Sequence, residues 1–108
     1  YVNIPDSVKT ISHFAFYGCV SLGSVKVGHG VETLGISAFH SCSQLRYVTI
    51  PKSVKKIDMN AFKDVNNLTY VYYEGLPEDF DAIEIDQTNY LLKDAKGFYE
   101  CGYDGDKK

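Results

Sequence analysis

The fold of this chain turns on one stretch, "VTIPKSVKKIDMNAFKDVNNL", residues 48–68. Its opening alternates Val48, Thr49 and Ile50 and stops at Pro51, the pattern of a short strand ended by a residue that cannot donate to a ladder. Its second half sets an apolar pair, Ala61-Phe62, among polar residues. The same pattern stands upstream as "VNIPDSVKTISHFAFYGCVSL" at 2–22 and "VKVGHGVETLGISAFHSCSQL" at 25–45. Apolar positions recur at a step of 23: Ala15, Ala38 and Ala61; Phe16, Phe39 and Phe62; Leu22, Leu45 and Leu68; Val2, Val25, Val48 and Val71. Ile4, Val27, Ile50 and Tyr73 form a further column, as do Val8, Val31 and Val54, then Ile11, Leu34 and Ile57. A period of ~20–29 residues marks a solenoid with one supersecondary unit per coil. No coil holds enough apolar residues to close a core alone, so each copy supplies one layer of a shared one.

Within a coil, Arg46 to Ile50 and Thr69 to Tyr73 read as strands, and equivalent strands of successive coils are expected to pair in parallel. Asp58 to Lys63 reads as one or two helical turns with Asp58 as cap. After the repeats, Pro77-Glu78-Asp79 has the form of a helix start, with acidic residues at its positive end. Ile83 and Ile85 alternate as a short strand, Asn89 to Ala95 suits a helical turn, and Phe98-Tyr99 a last strand. An array needs a terminal element over its open core, and residues 74–99 suit that task. Residues 100–108, with Gly102, Gly105 and a charged end, read as a flexible tail.

Leu22-x-x-Val25-x-Val27, Leu45-x-x-Val48-x-Ile50 and Leu68-x-x-Val71-x-Tyr73 resemble the core of leucine-rich repeats. The added Ile-Pro-x-Ser-Val and Ala-Phe-x-x-Cys-x-x-Leu elements resemble the BspA-like class of bacterial surface and secreted proteins. The likeness covers residues 1–73, and the segment 71–99 is similar to the one that closes such arrays. Three departures are local: Gly28 stands for the Pro, Gly30 for the Ser and Val65 for the Cys. The expected fold is an α/β solenoid: a right-handed leucine-rich repeat array of 23-residue coils. A parallel sheet lies on one face and short helical turns on the other, with a C-terminal cap over 74–99. The resemblance implies an extracellular or cell-surface location and a binding or adhesion role toward a host or neighbouring-cell protein. The alternative is a structural spacer, or an accessory domain that presents another domain of a larger parent. The opening at Tyr1-Val2, inside a repeat, reads as a fragment of a longer array.

The 108 residues are 44% hydrophobic and 23% charged, with a net charge of −3, an ordinary balance for a folded domain. Lysines are scattered apart from Lys55-Lys56, so the clustered basic face of a nucleic-acid binder is missing. No run of 18 apolar residues occurs, so membrane insertion is not expected of this segment.

Candidate chemistry is sparse. Cys19 and Cys42 lie one repeat apart, and the Val65 that follows in their column marks a site for a small buried group rather than a nucleophile paired with His40. Parallel stacking holds the two cysteines near the strand spacing, wider than the ~3.5–4.5 Å a disulfide needs between Cβ atoms, which favours free thiols. His13, His29 and His40 fall at three different phases of the repeat and do not converge as zinc ligands do. Asp104-Gly105-Asp106 is a fragment of a calcium loop, and Glu78, Asp79, Asp81, Glu84 and Asp86 suit a solvated cap. No catalytic residue, metal or cofactor is expected. The binding candidate is the strip of residues flanking the inward positions of each strand: Tyr1, Asn3, Ser24, Lys26, Tyr47, Thr49, Tyr70 and Tyr72. Tyr47 and Tyr70 should stack, with Tyr72 beside them. Such a row is either a partner-binding surface or a ladder that only strengthens the sheet. The uncovered strand at Tyr1 to Ile4 also invites weak self-association.

Overall fold

In a computed structural model of the protein, residues 1–93 and 97–100 are described. Two parallel sheets line the coils. The first contains five strands in the order β1 (Val2–Asn3), β3 (Ser24–Lys26), β5 (Tyr47–Pro51), β7 (Tyr70–Glu74) and β9 (Gly97–Glu100). The second contains β2 (Thr10–Ile11), β4 (Thr33–Leu34), β6 (Lys56–Ile57) and β8 (Glu84–Ile85). The register follows the repeat: Val2 faces Val25, Val25 faces Val48, and Val48 faces Val71. On the second sheet Ile11 faces Leu34 and Leu34 faces Ile57. The apolar columns thereby become rows of a single core, fully buried in coils two and three. The three phenylalanines stack along the axis, with ring centroids 5.2 Å apart for Phe16 and Phe39 and 5.4 Å for Phe39 and Phe62.

The remaining side of each coil differs from the expected helical turns. Residues 13–18, 36–41 and 59–64 are stacked non-helical turns. Phe14, Ser37 and Asn60 have left-handed backbones, and so do Gly18, Ser41 and Asp64 four residues later. A left-handed residue at that interval cannot continue an i→i−4 ladder. Alternate N–H groups therefore turn along the stack. Those of Phe14, Phe16 and Gly18 donate to the carbonyls of Ile36, Ala38 and His40, at 2.8–2.9 Å. Those of Ser37, Phe39 and Ser41 donate to Met59, Ala61 and Lys63, at 2.8–3.0 Å. Every one of these bonds points the same way, from donor coil to the coil after it.

Coil three needs acceptors where a further turn would stand. Two side chains supply them: Thr88 Oγ1 accepts the Asn60 N–H at 2.7 Å and Asn89 Oδ1 accepts the Phe62 N–H at 2.8 Å. Asn89 is buried, and its amide nitrogen donates to the Asp58 and Asp86 carbonyls at 2.9 and 3.1 Å. Asp86 fixes Thr88 in turn by accepting from its N–H and its hydroxyl, and these bonds hold the Asp86 carboxyl below the usual carboxylate range. Thr88 and Asn89 lie on a 3₁₀ turn, Gln87–Asn89, that runs into α2 (Tyr90–Lys93).

Between β7 and β8 the helix α1 (Pro77–Asp81) begins at a proline, and the Asp79 carboxylate accepts the Leu76 N–H at 3.0 Å. It places Phe80 edge-on against buried Tyr73, with centroids 5.2 Å apart. Two of the departures from the repeat now have a cause. A Cβ on Gly28 would overlap the Ile4 and Pro5 carbonyl oxygens, and one on Gly30 would overlap that of Asp6. Coil two approaches coil one too closely there for a side chain. Cys101 and Asp104-Gly105-Asp106 lie outside the described residues, as do 101–108 of the expected tail.

Candidate functional site

Strand alternation sends Val25, Val48 and Val71 inward and their neighbours outward, so the outer face of the five-stranded sheet collects the strip residues. Ser24 faces Tyr47, and Tyr47 faces Tyr70; Asn3 faces Lys26, Lys26 faces Thr49, and Thr49 faces Tyr72. The Tyr47 and Tyr70 rings stack at 5.1 Å and 12°, and Tyr72 lies 6.3 Å from Tyr70 at 19°. Tyr1 stands apart at the head of the strip, 86% exposed. Asn3 and Lys26 are exposed, while Ser24, Thr49, Tyr70 and Tyr72 are half-buried. Tyr47, 41% exposed, carries the Arg46 guanidinium 5.9 Å above its ring.

This geometry limits what the row can bind. Rings stacked on one another use their faces internally and present edges outward. Contact from the solvent side of the stacked pair would fall on ring edges and phenolic oxygens rather than on an open aromatic platform. That suits a surface that mixes apolar contact with hydrogen bonding, as protein interfaces do. Arg46 was not among the strip candidates. Its side chain reaches the strip by folding over the ring of the next residue, which strand alternation does not foretell.

The other candidate groups serve the fold. Cys19 and Cys42 are free thiols. Cys42 is buried, its Sγ donates to the Phe16 carbonyl at 3.0 Å, and burial pushes its thiol up to about 11. A thiol held neutral is a poor nucleophile. His13 accepts the Ile36 N–H, and His29 bridges coils, its Nε2 at 3.0 Å from Glu74 and its backbone N–H donating to Asp6 at 2.8 Å. His40 lies between the Ser37 hydroxyl, at 3.2 Å from Nδ1, and Asp64, at 3.5 Å from Nε2. The trio has the composition of a hydrolytic triad, but Ser37 is 3% exposed, so its hydroxyl is not presented to a substrate. Among the described residues no group of three or more His, Cys, Asp or Glu is placed to hold a metal ion. None of their helices is long and apolar enough to cross a membrane.

The model of the BspA type leucine-rich repeat region, a region of six copies, matches residues 1–89. The chain belongs to this family. The BspA-type match runs beyond the third coil to Asn89, the residue that ends the ladder of turns. Comparisons with curated proteins and with solved structures return no match. BspA-type leucine-rich repeats are repeat modules, a class often used in protein interaction and not typically catalytic, and the family is associated with bacterial surface proteins.

Proposed function

We propose that this BspA-type array is a non-catalytic adhesion module of a bacterial surface or secreted protein. It binds a protein partner through the outer face of its five-stranded sheet. The observation that carries this reading is the stacked Tyr47–Tyr70 pair, 5.1 Å apart, on the outward side of the sheet, with Tyr47 41% exposed. Tyrosines contribute large, stiff contact area at low entropic cost and are enriched among residues that dominate interfaces. Asn3, Lys26 and Thr49 run alongside as polar contacts, with Tyr1, Ser24 and Tyr72 completing the strip. Four strands at ~4.8 Å spacing make a strip of only ~15–20 Å, small against ~800 Å² per partner in a standard interface. A partner of standard size therefore reaches beyond this strip, as on a longer array.

The test is a screen of the chain against extracellular proteins, followed by Tyr47→Ala/Tyr70→Ala in any pair found. Loss of affinity by at least about tenfold with an unchanged melting temperature is the expected result. Unchanged affinity in the double variant would remove the strip from the interface and leave the row as a ladder within a spacer.

A further inference from the structure

We propose that the cleft beside the tyrosine strip is a carboxylate-binding subsite, which takes an acidic side chain of the protein partner. The cleft has a volume of about 670 Å³ and is lined by Gln44, Arg46, Asn66, Asn67, Thr69 and Leu91, with Leu68 beneath. That volume lies within the range of ~300–1,000 Å³ typical of small-ligand sites. Repetition builds it: Gln44 and Asn67 occupy one repeat position in successive coils, and Arg46 and Thr69 another.

The described residues of the lining are one-sided in their chemistry. They contain a guanidinium, three carboxamides and a hydroxyl, and no carboxylate. Two other clefts mix signs, one with Lys52, Lys55 and Asp79 and one with Lys56, Asp58, Glu84 and Asp86. Each holds an internal ion pair, Lys52–Asp79 at 3.8 Å and Lys56–Asp58 at 4.0 Å. Arg46 is the chain's single arginine, and no carboxylate of the described residues lies within ion-pair distance of it. A guanidinium offers N–H donors in a planar fork, and an ionised carboxyl group offers only acceptors, so the two pair in a bidentate arrangement. The floor is set in advance: Asn67 donates to the Ser43 carbonyl at 2.8 Å and Thr69 to the Asn67 carbonyl at 2.9 Å. Gln44 and Asn66 add amide donors at the rim, and Leu91 an apolar wall for a methylene stem.

The cleft adjoins the strip through Arg46, which lies over Tyr47. The choice of a protein carboxylate as occupant rests on the interface reading above, while binding of the carboxylate group itself does not.

The experiment is an NMR titration of the ¹⁵N-labelled protein, reading the Arg46 Nε–H and the Gln44 and Asn66 side-chain amides. The probes are N-acetylglutamate N-methylamide, its glutamine counterpart, and glucuronic acid as the sugar-borne carboxylate. The glutamate probe is expected to shift these resonances with at least about tenfold greater affinity than the neutral glutamine probe. Arg46→Gln is expected to abolish that difference, whereas Lys9→Gln, which removes a positive charge outside both the cleft and the strip, leaves it within about threefold. Equal response to the two amino-acid probes, or an undiminished response in Arg46→Gln, would overturn the subsite. Tighter binding of glucuronic acid would overturn the protein source of the carboxylate. Failure of the strip alone has a different signature: partner binding indifferent to the tyrosines, with the glutamate titration intact.

Discussion

Replacing Asn89 by alanine tests how the stack is ended. The asparagine lies 1% exposed and serves three backbone groups: it accepts from Phe62 and donates to Asp58 and Asp86. Alanine leaves the Phe62 N–H, on a fully buried residue, without this partner, while the Asp58 carbonyl keeps the Ala61 N–H at 3.2 Å. A stranded buried group costs ~1–3 kcal/mol, so a loss of about 2 kcal/mol is expected. At ~4–8 °C per kcal/mol for a domain near this size, the melting temperature falls by roughly 8–16 °C. Urea unfolding gives the free energy, and hydrogen exchange localises it, because the Phe62 amide should lose protection before its neighbours in β5 and β7. Asn89→Asp is the sharper variant. It keeps an acceptor for Phe62 but turns the donor into an oxygen facing two carbonyls. A carboxyl group so placed has a raised pKa in the folded state. Its protonated form can donate, so stability relative to wild type is better at about pH 4 and is lost as the pH rises through that folded pKa. A loss below about 0.5 kcal/mol in Asn89→Ala, within the range of ordinary surface changes, would refute the terminating role.

Gly28→Ala should destabilise by ~1–3 kcal/mol, since its Cβ meets the Ile4 and Pro5 backbone rather than a side chain that could move aside; urea denaturation at unchanged m-value measures it. Cys19 should react with a thiol reagent in the folded protein while Cys42 reacts only on unfolding, checked by mass spectrometry in a Cys101→Ser background. For the same thiol, a pKa raised from 9.0 to about 11 gives a contribution to stability that is complete below 9.0 and lost as the pH climbs through 11. Alkaline unfolding should therefore be delayed in Cys42→Ala relative to its own neutral-pH stability.

The step of 23 residues made the parallel sheets, the buried columns and the phenylalanine row legible, because register and repetition are the same fact in a solenoid. The Tyr47–Tyr70 stack followed from that register. The turns did not, for a reason visible in particular residues. The left-handed positions hold Phe14, Ser37 and Asn60, then Gly18, Ser41 and Asp64. Gly18, Asn60 and Asp64 belong to types that favour that backbone, but Phe14, Ser37 and Ser41 in the same columns do not, so the columns did not read as left-handed. The signal was present in the columns: Asn60 and Asp64 lie four apart, as do Phe14 and Gly18. Asn89 read as the start of a helical turn, whereas its bonds reach back to coil three. The Arg46 cleft was invisible because its lining comes from two coils and α2, and nothing in any single segment marks it.

The uniform direction of the turn ladder has a corollary for array length. On this side each described coil hands its turn amides to its successor, so adding or removing a unit of 23 residues would leave the turn bonds of the junction unchanged in kind. The final hand-over differs, and it is made by two short polar side chains. An array extended by whole units would therefore still end on Thr88 and Asn89.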